Sequence, residues 1–536
     1  MTEKIAILWP EIAMFAGTCV VMLVGLSPRA EVRRQTALLA GVTLAVAGLL
    51  AANSPGVDGP LPGMMGFVKS LTAAVGLMLV LLLAGTVDRA EERAIAEGRA
   101  AFNPLRSTRG EFYSFFLFSL TGVMLCASAG DLIWLFLALE LTSLPTYVMV
   151  AMSGKGVRLG DRAGEAGVKY FFLGAMGAAV FLYGFALLYG ATGTTRFGEM
   201  AAFFAAEGVG PMATAGLLLA LVGVSFKIAA VPMHFYTADV YQGAAAPVSA
   251  FLAFAPKTAG FVSILLLVSA VGWLPTGGRA PALPGSIDAA LWLIAALTMT
   301  VGNVLALLQT SVKRLLAYSS IAHSGYMLVG VIAGPGDGSF TQNGLSAVLF
   351  YLLAYGVTNL GAFAVLACLE RDAERGEVDS AADLKGLCRT RPVLGWTMAI
   401  CLLSLLGFPP LLGFFAKVPL FTSLLGAERY WLLVILALNS AIAAYYYLGL
   451  VRVVMLDEPS AESRSVRATP FVSRPVAAVA SAVAVVLLAV LGNGLMVASQ
   501  AAGKYERPAV GERHSARAEA GGSEVGVAES DGRVGR

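Results

Sequence analysis

Five titratable residues stand inside long apolar stretches of this sequence: Glu140, Lys227, Lys257, His323 and Lys417. Glu140 is about halfway along Asp131-Leu-Ile-Trp-Leu-Phe-Leu-Ala-Leu-Glu140-Leu-Thr-Ser-Leu-Pro145, and Lys227 opens the stretch Lys227-Ile-Ala-Ala-Val-Pro232-Met-His234-Phe-Tyr-Thr-Ala-Asp239. Lys257 follows Pro247 in the next apolar run. His323 sits in Tyr318-Ser-Ser-Ile-Ala-His323-Ser-Gly, and Lys417 follows Gly407-Phe-Pro409-Pro410. Burying one charge at a bilayer centre costs roughly 2.5–3.5 kcal/mol on the most lenient insertion scale, and such residues usually line proton or ion paths. The plainer reading is structural. Glu140 and Lys227 would then pair to hold two helices in register, although buried pairs at best break even for stability. His323 would be a hydrogen-bonded core residue.

The chemistry that these types can do together is proton transfer. A desolvated ammonium gives up its proton more readily, and a nearby carboxylate restores its hold. Histidine alone has an unperturbed pKa near neutrality. Sites coupled in this way can hand a proton along a line. His234 and Asp239 are secondary candidates at the Pro232 break. His234 is expected near a surface, and Asp239 with Gln242 either lines water there or caps the next helix. Asp131, Lys169 and Asp288 lie near the ends of apolar runs, where snorkelling accounts for them.

The elements that must position these groups follow from composition. The chain has 536 residues, 57% hydrophobic and only 13% charged, with a mean hydropathy of +0.77. Soluble domains carry about 25% charged residues, so an all-α polytopic membrane protein is expected. The net charge of +3 is too small for a nucleic-acid partner. Five scattered cysteines, without a CxxC, indicate neither a disulfide framework nor a metal site. No phosphate loop, convincing GxGxxG, haem ligand pair or quinone-site signature is present, and no nucleophile of an ordinary enzyme stands out.

At about 20 apolar residues per crossing, about fourteen spans are expected. They lie near 5–26, 36–53, 65–87, 110–128, 131–152, 166–191, 211–230, 247–271, 287–308, 314–334, 343–369, 393–424, 429–452 and 473–500. Pro10 and Glu11 in the first argue for a retained helix rather than a signal peptide. The seventh is broken at Pro232 and the twelfth at Gly407-Phe-Pro409-Pro410. Loop cations set orientation. Arg29, Arg33 and Arg34 follow the first span, and Arg89, Arg93, Arg99, Arg106 and Arg109 the third. Later odd-numbered spans are followed by further clusters, including Lys313 with Arg314, and Arg452, Arg464, Arg467 and Arg474. The other loops hold Arg196 and Arg279. Odd-span loops therefore face the cytoplasm and both termini the opposite side of a cell (inner) membrane.

Broken spans at positions seven and twelve imply two inverted five-helix repeats, as in transporters with midplane sites. The layout is 1–109 as a three-helix segment, 110–271 and 287–454 as the repeats, 473–500 as a last helix and 501–536 as a disordered tail.

These same residues resemble a known family, the antiporter-like proton-channel subunits of respiratory complex I, and within it the subunit N (subunit 2) type of NADH–quinone oxidoreductase. The matching stretches are Leu139-Glu140-Leu-Thr-Ser-Leu-Pro145-Thr-Tyr147, Glu165-Ala-Gly-Val-Lys169-Tyr-Phe-Phe-Leu-Gly-Ala175 and Phe226–Ser249 with Lys257. Lys313-Arg-Leu-Leu-Ala-Tyr-Ser-Ser-Ile-Ala-His323-Ser-Gly-Tyr326 and Leu406-Gly-Phe-Pro409-Pro410-Leu-Leu-Gly413-Phe-Phe-Ala-Lys417 complete the set. The resemblance implies Glu140 and Lys227 as the charged pair of the first half-channel. It implies Lys257 as the central relay, His323 as part of the central hydrophilic axis and Lys417 as the terminal charge on the path to the outer side. It implies no cofactor in this chain, with FMN, iron–sulfur clusters and quinone in partner subunits. The other antiporter-like and quinone-site subunits of the membrane arm are the implied partners. The chain departs from the family at Tyr236 and Ala238, where tryptophan and proline are common, at Ala245, where proline is common, and at Leu411-Leu412. It carries no extension like the lateral helix of subunit L.

Other functions compete. A cation/proton antiporter of the same fold, Mrp-like, would need oxygen ligands for a hard cation, and buried carboxylates other than Glu140 are scarce. A membrane subunit of a related hydrogenase or F420H2 dehydrogenase would share every motif. A purely structural scaffold would tolerate neutralisation of all the buried charges.

Overall fold

In lipid, a backbone that has no water to bond must satisfy itself, so long apolar runs fold as helices. The computed structural model describes residues 6–54, 59–104, 107–154, 159–274, 281–371 and 378–506, with the side chains of 159–161 excepted. The principal helices are α1 (Trp9–Gly25), α2 (Thr36–Ala52), α3 (Met64–Leu83), α4 (Arg109–Ala127), α5 (Leu132–Met152) and α6 (Leu159–Thr192). They continue as α7 (Pro211–Ile228), α8 (Thr237–Gly243), α9 (Ala246–Val271), α10 (Gly285–Leu307), α11 (Val312–Ala333) and α12 (Gly344–Ala367). The last are α13 (Pro392–Leu406), α14 (Leu412–Gly426), α15 (Tyr430–Met455), α16 (Ser473–Leu491) and α17 (Asn493–Ala502). Among the described residues, strand is confined to Leu369–Glu370 paired antiparallel with Arg467–Ala468.

Twelve of the described helices are long and apolar enough to cross a membrane, and α1, α13 and α14 are shorter apolar helices. A count of fourteen requires α1 to cross alone and α13 with α14 to cross as two halves.

Burial sorts the helices into two shells. Every residue of α9 and of α12 is buried, and α11 is buried along nearly its whole length. These three form the centre, and they carry Lys257 and His323. Around them α2, α6, α15 and α16 turn large apolar side chains outward, among them Leu49, Phe172, Tyr445 and Val490. A helix apolar on all sides is buried or faces lipid, and both kinds occur here.

Close helix approach rests on small residues, as membrane packing requires. On the α6–α7 seam, a side chain at Gly223 would run into Phe181 and the Gly177 carbonyl. On the α7–α9 seam, a Cβ at Gly260 would lie 2.6 Å from Ile228 Cγ2 and 3.0 Å from Lys227 Cβ. Gly260 thus sets how tightly the end of α7 seats against the central helix.

Both expected interruptions are present. α7 stops at Ala229, which takes the left-handed conformation (φ 56°), and Pro232 prevents resumption. α13 stops at Gly407 (φ 87°) ahead of Pro409-Pro410. The far C-terminus differs from expectation. The anticipated helix over 473–500 is two helices separated at Gly492, and the second runs into the expected tail as far as Ala502. Residues 501–506 pack: Asn343 donates to the Gly503 carbonyl (3.0 Å), and the Trp273 and Tyr505 rings meet edge-on. The small Ala501-Ala502-Gly503 run allows this approach, although its composition reads as a linker. The rest of the expected tail, 507–536, lies outside the described residues.

Candidate functional site

The Glu140–Lys227 pair comes from α5 and from the last turn of α7. Lys227 Nζ is 3.2 Å from Glu140 Oε1 and donates to Ser143 Oγ at 2.6 Å. Lys227 is 2% exposed and Glu140 20%, so the pair spans the boundary between the core and the outer face of α5. Ser143 lies three residues after Glu140 on the same helical face, and its hydroxyl bonds back to Leu139. The lysine also lies near the Phe181 and Phe226 rings, 5.6 and 5.7 Å from their centroids.

Each broken helix leaves carbonyls without an intrahelical partner, and at both breaks a lysine meets them. Lys257, from α9, donates to Ile228 O (3.3 Å) at the end of α7, to Ser320 O (2.5 Å) and to Ser324 Oγ (2.5 Å). Ser324 donates to the same Ile228 carbonyl at 2.6 Å, and Tyr236 to Phe226 O at 2.7 Å. Lys417, from α14, reaches back to Leu406 O at 2.6 Å. The missing Cβ at Gly407 makes room, since one there would lie 2.8 Å from Lys417 Cδ. A cation at a helix C-terminus also faces the negative end of the macrodipole. Chain breaks and ammonium groups are therefore two parts of one arrangement, repeated at both sites.

His323, on α11, lies between the two lysines. Its Nδ1 is 2.6 Å from the Tyr351 hydroxyl and its Nε2 3.0 Å from the Tyr447 hydroxyl. Tyr447 in turn bonds Ser319. Two further tyrosines bridge to the cations. The Tyr355 ring is 5.0 Å from the imidazole and 5.8 Å from Lys257 Nζ. The Tyr326 ring is 5.4 Å from the imidazole and 5.3 Å from Lys417 Nζ. A cavity of about 10 Å³ opens beside His323, between Tyr351, Thr358, Ser404 and Gly413. That is about the least space a single water occupies. Glu140 with Lys227, Lys257 at the Ile228 carbonyl, and His323 between the Tyr355 and Tyr326 rings that face Lys257 and Lys417 thus follow one another as a line of polar groups through an apolar bundle.

The secondary candidates fall elsewhere. His234 is itself 8% exposed, but Pro232 and Phe235 (72%) beside it are exposed, so it lies just beneath the surface at the break. Asp239 lies in the first turn of α8 rather than at its cap, with its carboxylate 44% exposed. It is paired with Arg314 (2.7 Å) and Lys169 (3.4 Å). Gln242 bridges Arg314 and Asp379. Lys169 is held by Glu165 (2.6 Å) and Asp239 rather than snorkelling freely. Asp131 caps α5 through the Trp134 N–H, and Asp288 pairs with Arg429 at 2.6 Å. Lys313, Arg33 and Arg474, read as loop cations, are buried: Lys313 donates to Ala244 O at the start of α9. A long basic side chain at a helix end can turn inward to a free carbonyl as easily as outward.

Two polar groups escaped the sequence reading. Lys69, on α3, is fully buried against Glu11 of α1 (2.8 Å) and donates to Ile7 O, while Ser128 donates to Glu11. Asn303 donates to the Tyr326 hydroxyl (2.9 Å) and to Asn439 (3.1 Å), and accepts from Tyr446 (2.9 Å). Glu11 within an apolar run was a signal that a cation must face it. The asparagines carried no such signal.

A profile of the family described as NADH:quinone oxidoreductase/Mrp antiporter, TM, matches residues 129–443, which hold the whole polar line. The chain is 43% identical over 406 residues to NADH-quinone oxidoreductase subunit N of Salinibacter ruber, covering 74% of this chain and 76% of that one. Among solved structures, a chain of respiratory complex I from Thermus thermophilus with bound Aureothin superposes with a TM-score of 0.71 at 34% identity, covering 92% of this chain and 99% of that one. A chain of the Mrp complex from Dietzia superposes with a TM-score of 0.73 at 19% identity, covering 94% and 97%. The second likeness is one of fold alone.

Proposed function

The chain belongs to the NADH:quinone oxidoreductase/Mrp antiporter membrane family, and from that premise we propose that Glu140, Lys227, Lys257, His323 and Lys417 carry protons through it as a subunit of the N type. It is a proton-translocating membrane subunit, working among the other antiporter-like and quinone-site subunits of a membrane arm. Redox chemistry with NADH, FMN, iron–sulfur clusters and quinone belongs to other subunits of the complex, so the chain is one part of a redox-driven translocase. The setting is a cell inner membrane, with both termini on the non-cytoplasmic side. Residues 110–271 and 287–454 act as two inverted half-channels.

The observation that carries this reading is the line itself. Two broken helices each present carbonyls to a buried lysine, and His323 sits between those lysines through Tyr355 and Tyr326. The first half of the relay is Glu140 with Lys227. A change in the 3.2 Å separation of that pair alters the field across the first half of the relay, because a close ion pair in a low dielectric interacts strongly. Lys257 bonds the carbonyl of Ile228, the residue after Lys227, so it feels the same event. His323 can accept on one ring nitrogen and release from the other, with Tyr351 and Tyr447 holding the ring in place. Lys417 then discharges beside the second break.

Cation/proton exchange is the weaker reading. Glu140 is the one carboxylate of the line, and the carbonyls freed at the breaks already accept from Lys257, Ser324, Tyr236 and Lys417, where Na⁺ or K⁺ needs several open oxygen ligands. The identity to the complex I chain, 34%, also exceeds the 19% to the Mrp chain. The deciding experiment is Lys227→Ala in the assembled complex. Inverted vesicles should lose most redox-driven proton uptake while the complex still assembles. Normal uptake by a correctly assembled variant would remove Lys227 from the path.

A further inference from the structure

A cavity of about 480 Å³ that shares no residue with the polar line opens at an arginine-rich part of the molecule. It is lined by Arg34, Arg89, Arg93 and Arg109, by Glu92, and by an apolar side formed chiefly by Ala37, Ala84, Tyr113 and Phe471. Its volume lies in the range of ligand pockets, roughly 300–1,000 Å³. The local carboxylates are already engaged. Glu92 pairs with the buried Arg33 at 2.9 Å, Glu370 with Arg89 at 2.8 Å, and Asp88 accepts from the Thr108 and Arg109 backbone N–H groups. Arg34, Arg93 and Arg109 have no carboxylate partner among the described residues.

The helix N-termini beside this space are taken: Asp88 caps α4 through the Thr108 and Arg109 N–H groups, and α2 continues from a helical turn over Ala30–Arg34. What remains to meet phosphate oxygens is the guanidinium forks of Arg34, Arg93 and Arg109. An apolar track also leaves the cavity. Leu38, Val42, Val46 and Leu49 recur at helical spacing along one face of α2, 68%, 52%, 43% and 70% exposed. That track begins beside the lining residue Ala37.

From the unpaired arginines at the mouth and the apolar track below it, we propose that this cavity binds the phosphate-bearing headgroup of an anionic phospholipid, with an acyl chain lying along α2. Arg34, Arg93 and Arg109 hold the phosphate. Free phosphate shares the polar half of this chemistry but would leave the track without a role.

The test is native mass spectrometry of the full-length chain in non-ionic detergent. Phosphatidylglycerol, phosphatidylcholine of the same acyl chains and inorganic phosphate are titrated separately. Wild-type protein should retain phosphatidylglycerol in preference to phosphatidylcholine. Arg34→Gln/Arg93→Gln should weaken that retention about tenfold or more, since each basic residue near an anionic headgroup contributes about 1 kcal/mol. Size-exclusion profile and helical circular dichroism report that the variant is folded, and Arg34→Lys/Arg93→Lys should hold the lipid within about threefold. Arg452→Gln/Arg464→Gln removes two cations from the same end but outside the cavity, and should change retention less than twofold. Equal retention by wild type and Arg34→Gln/Arg93→Gln overturns the site. An equal loss in the Arg452→Gln/Arg464→Gln control overturns it too, because surface charge alone would then explain binding. Displacement of the lipid by millimolar inorganic phosphate overturns the lipid assignment.

Discussion

Lys227 and Lys69 show how residues of one type, buried to the same degree, differ in use. Lys227 faces a carboxylate that is 20% exposed and a serine, and it lies one residue from a freed carbonyl. Lys69 faces a carboxylate that is 5% exposed and a carbonyl of its own side of the bundle, and no broken helix adjoins it. The first arrangement can change and the second is closed. Removing one partner of a closed buried pair leaves an uncompensated charge, at a cost of about 3–5 kcal/mol. Lys69→Met should therefore destabilise the chain by about that much in thermal or denaturant unfolding. Glu11→Gln/Lys69→Met should recover most of the loss, whereas no recovery would mean that the ammonium acts through Ile7 O instead. His323→Phe keeps the ring and removes both nitrogens. It should leave assembly intact and cut redox-driven proton uptake by at least tenfold, and uptake near wild type would make the histidine a packing residue.

The elements that matter most are those that stop short. α7 ends at Ala229 and α13 at Gly407, both in the left-handed region, and each exposes carbonyls inside the bundle. At the first break Tyr236 and Ser324 bond those carbonyls together with Lys257. Tyr236→Phe removes the 2.7 Å bond to Phe226 O, which still accepts from the Ala229 N–H, so the loss is that of one hydrogen bond, about 0.5–1.5 kcal/mol. Pumping should fall less than in Lys227→Ala, since the cations remain. Gly260→Leu acts on the same seam from the other side. Its side chain must displace Ile228 and the Lys227 stem, so proton uptake should drop severalfold in a complex that still carries every titratable group. Wild-type uptake in Gly260→Leu would show that the seating of α7 on α9 is not required.

At the scale of the whole molecule, the central α9, α11 and α12 carry Lys257 and His323 where every surrounding side chain is buried, while the outer helices meet lipid or neighbouring subunits. A central position shields the relay from solvent and lets each event reach the next over short distances. If protons are the transported species, vesicles holding the complex should show redox-driven acidification that is unchanged when Na⁺ is replaced by choline. A Na⁺ jump alone should move no protons, and a pH change after such a jump would restore the antiporter reading.

Much of this was legible from the order of residues, because desolvation acts locally. A charge in an apolar run is costly wherever the run ends up, so Glu140, Lys227, Lys257, His323 and Lys417 stood out by composition. Pro232 and Gly407-Phe-Pro409-Pro410 marked the breaks because φ and the missing N–H are properties of single residues. The pairing of Glu140 with Lys227, which lie in spans five and seven, was implied by their opposite charges and by the family resemblance. What the tertiary structure alone decided was rotation about each helix axis. Within lipid no hydrophobic force selects one helix face for the interior, so small-residue seams such as Gly223 and Gly260 set the facing. That rotation brought Tyr355 and Tyr326 between His323 and its lysines, turned Lys313 inward, set Lys69 on Glu11 and left Arg34, Arg93 and Arg109 around an unshared cavity.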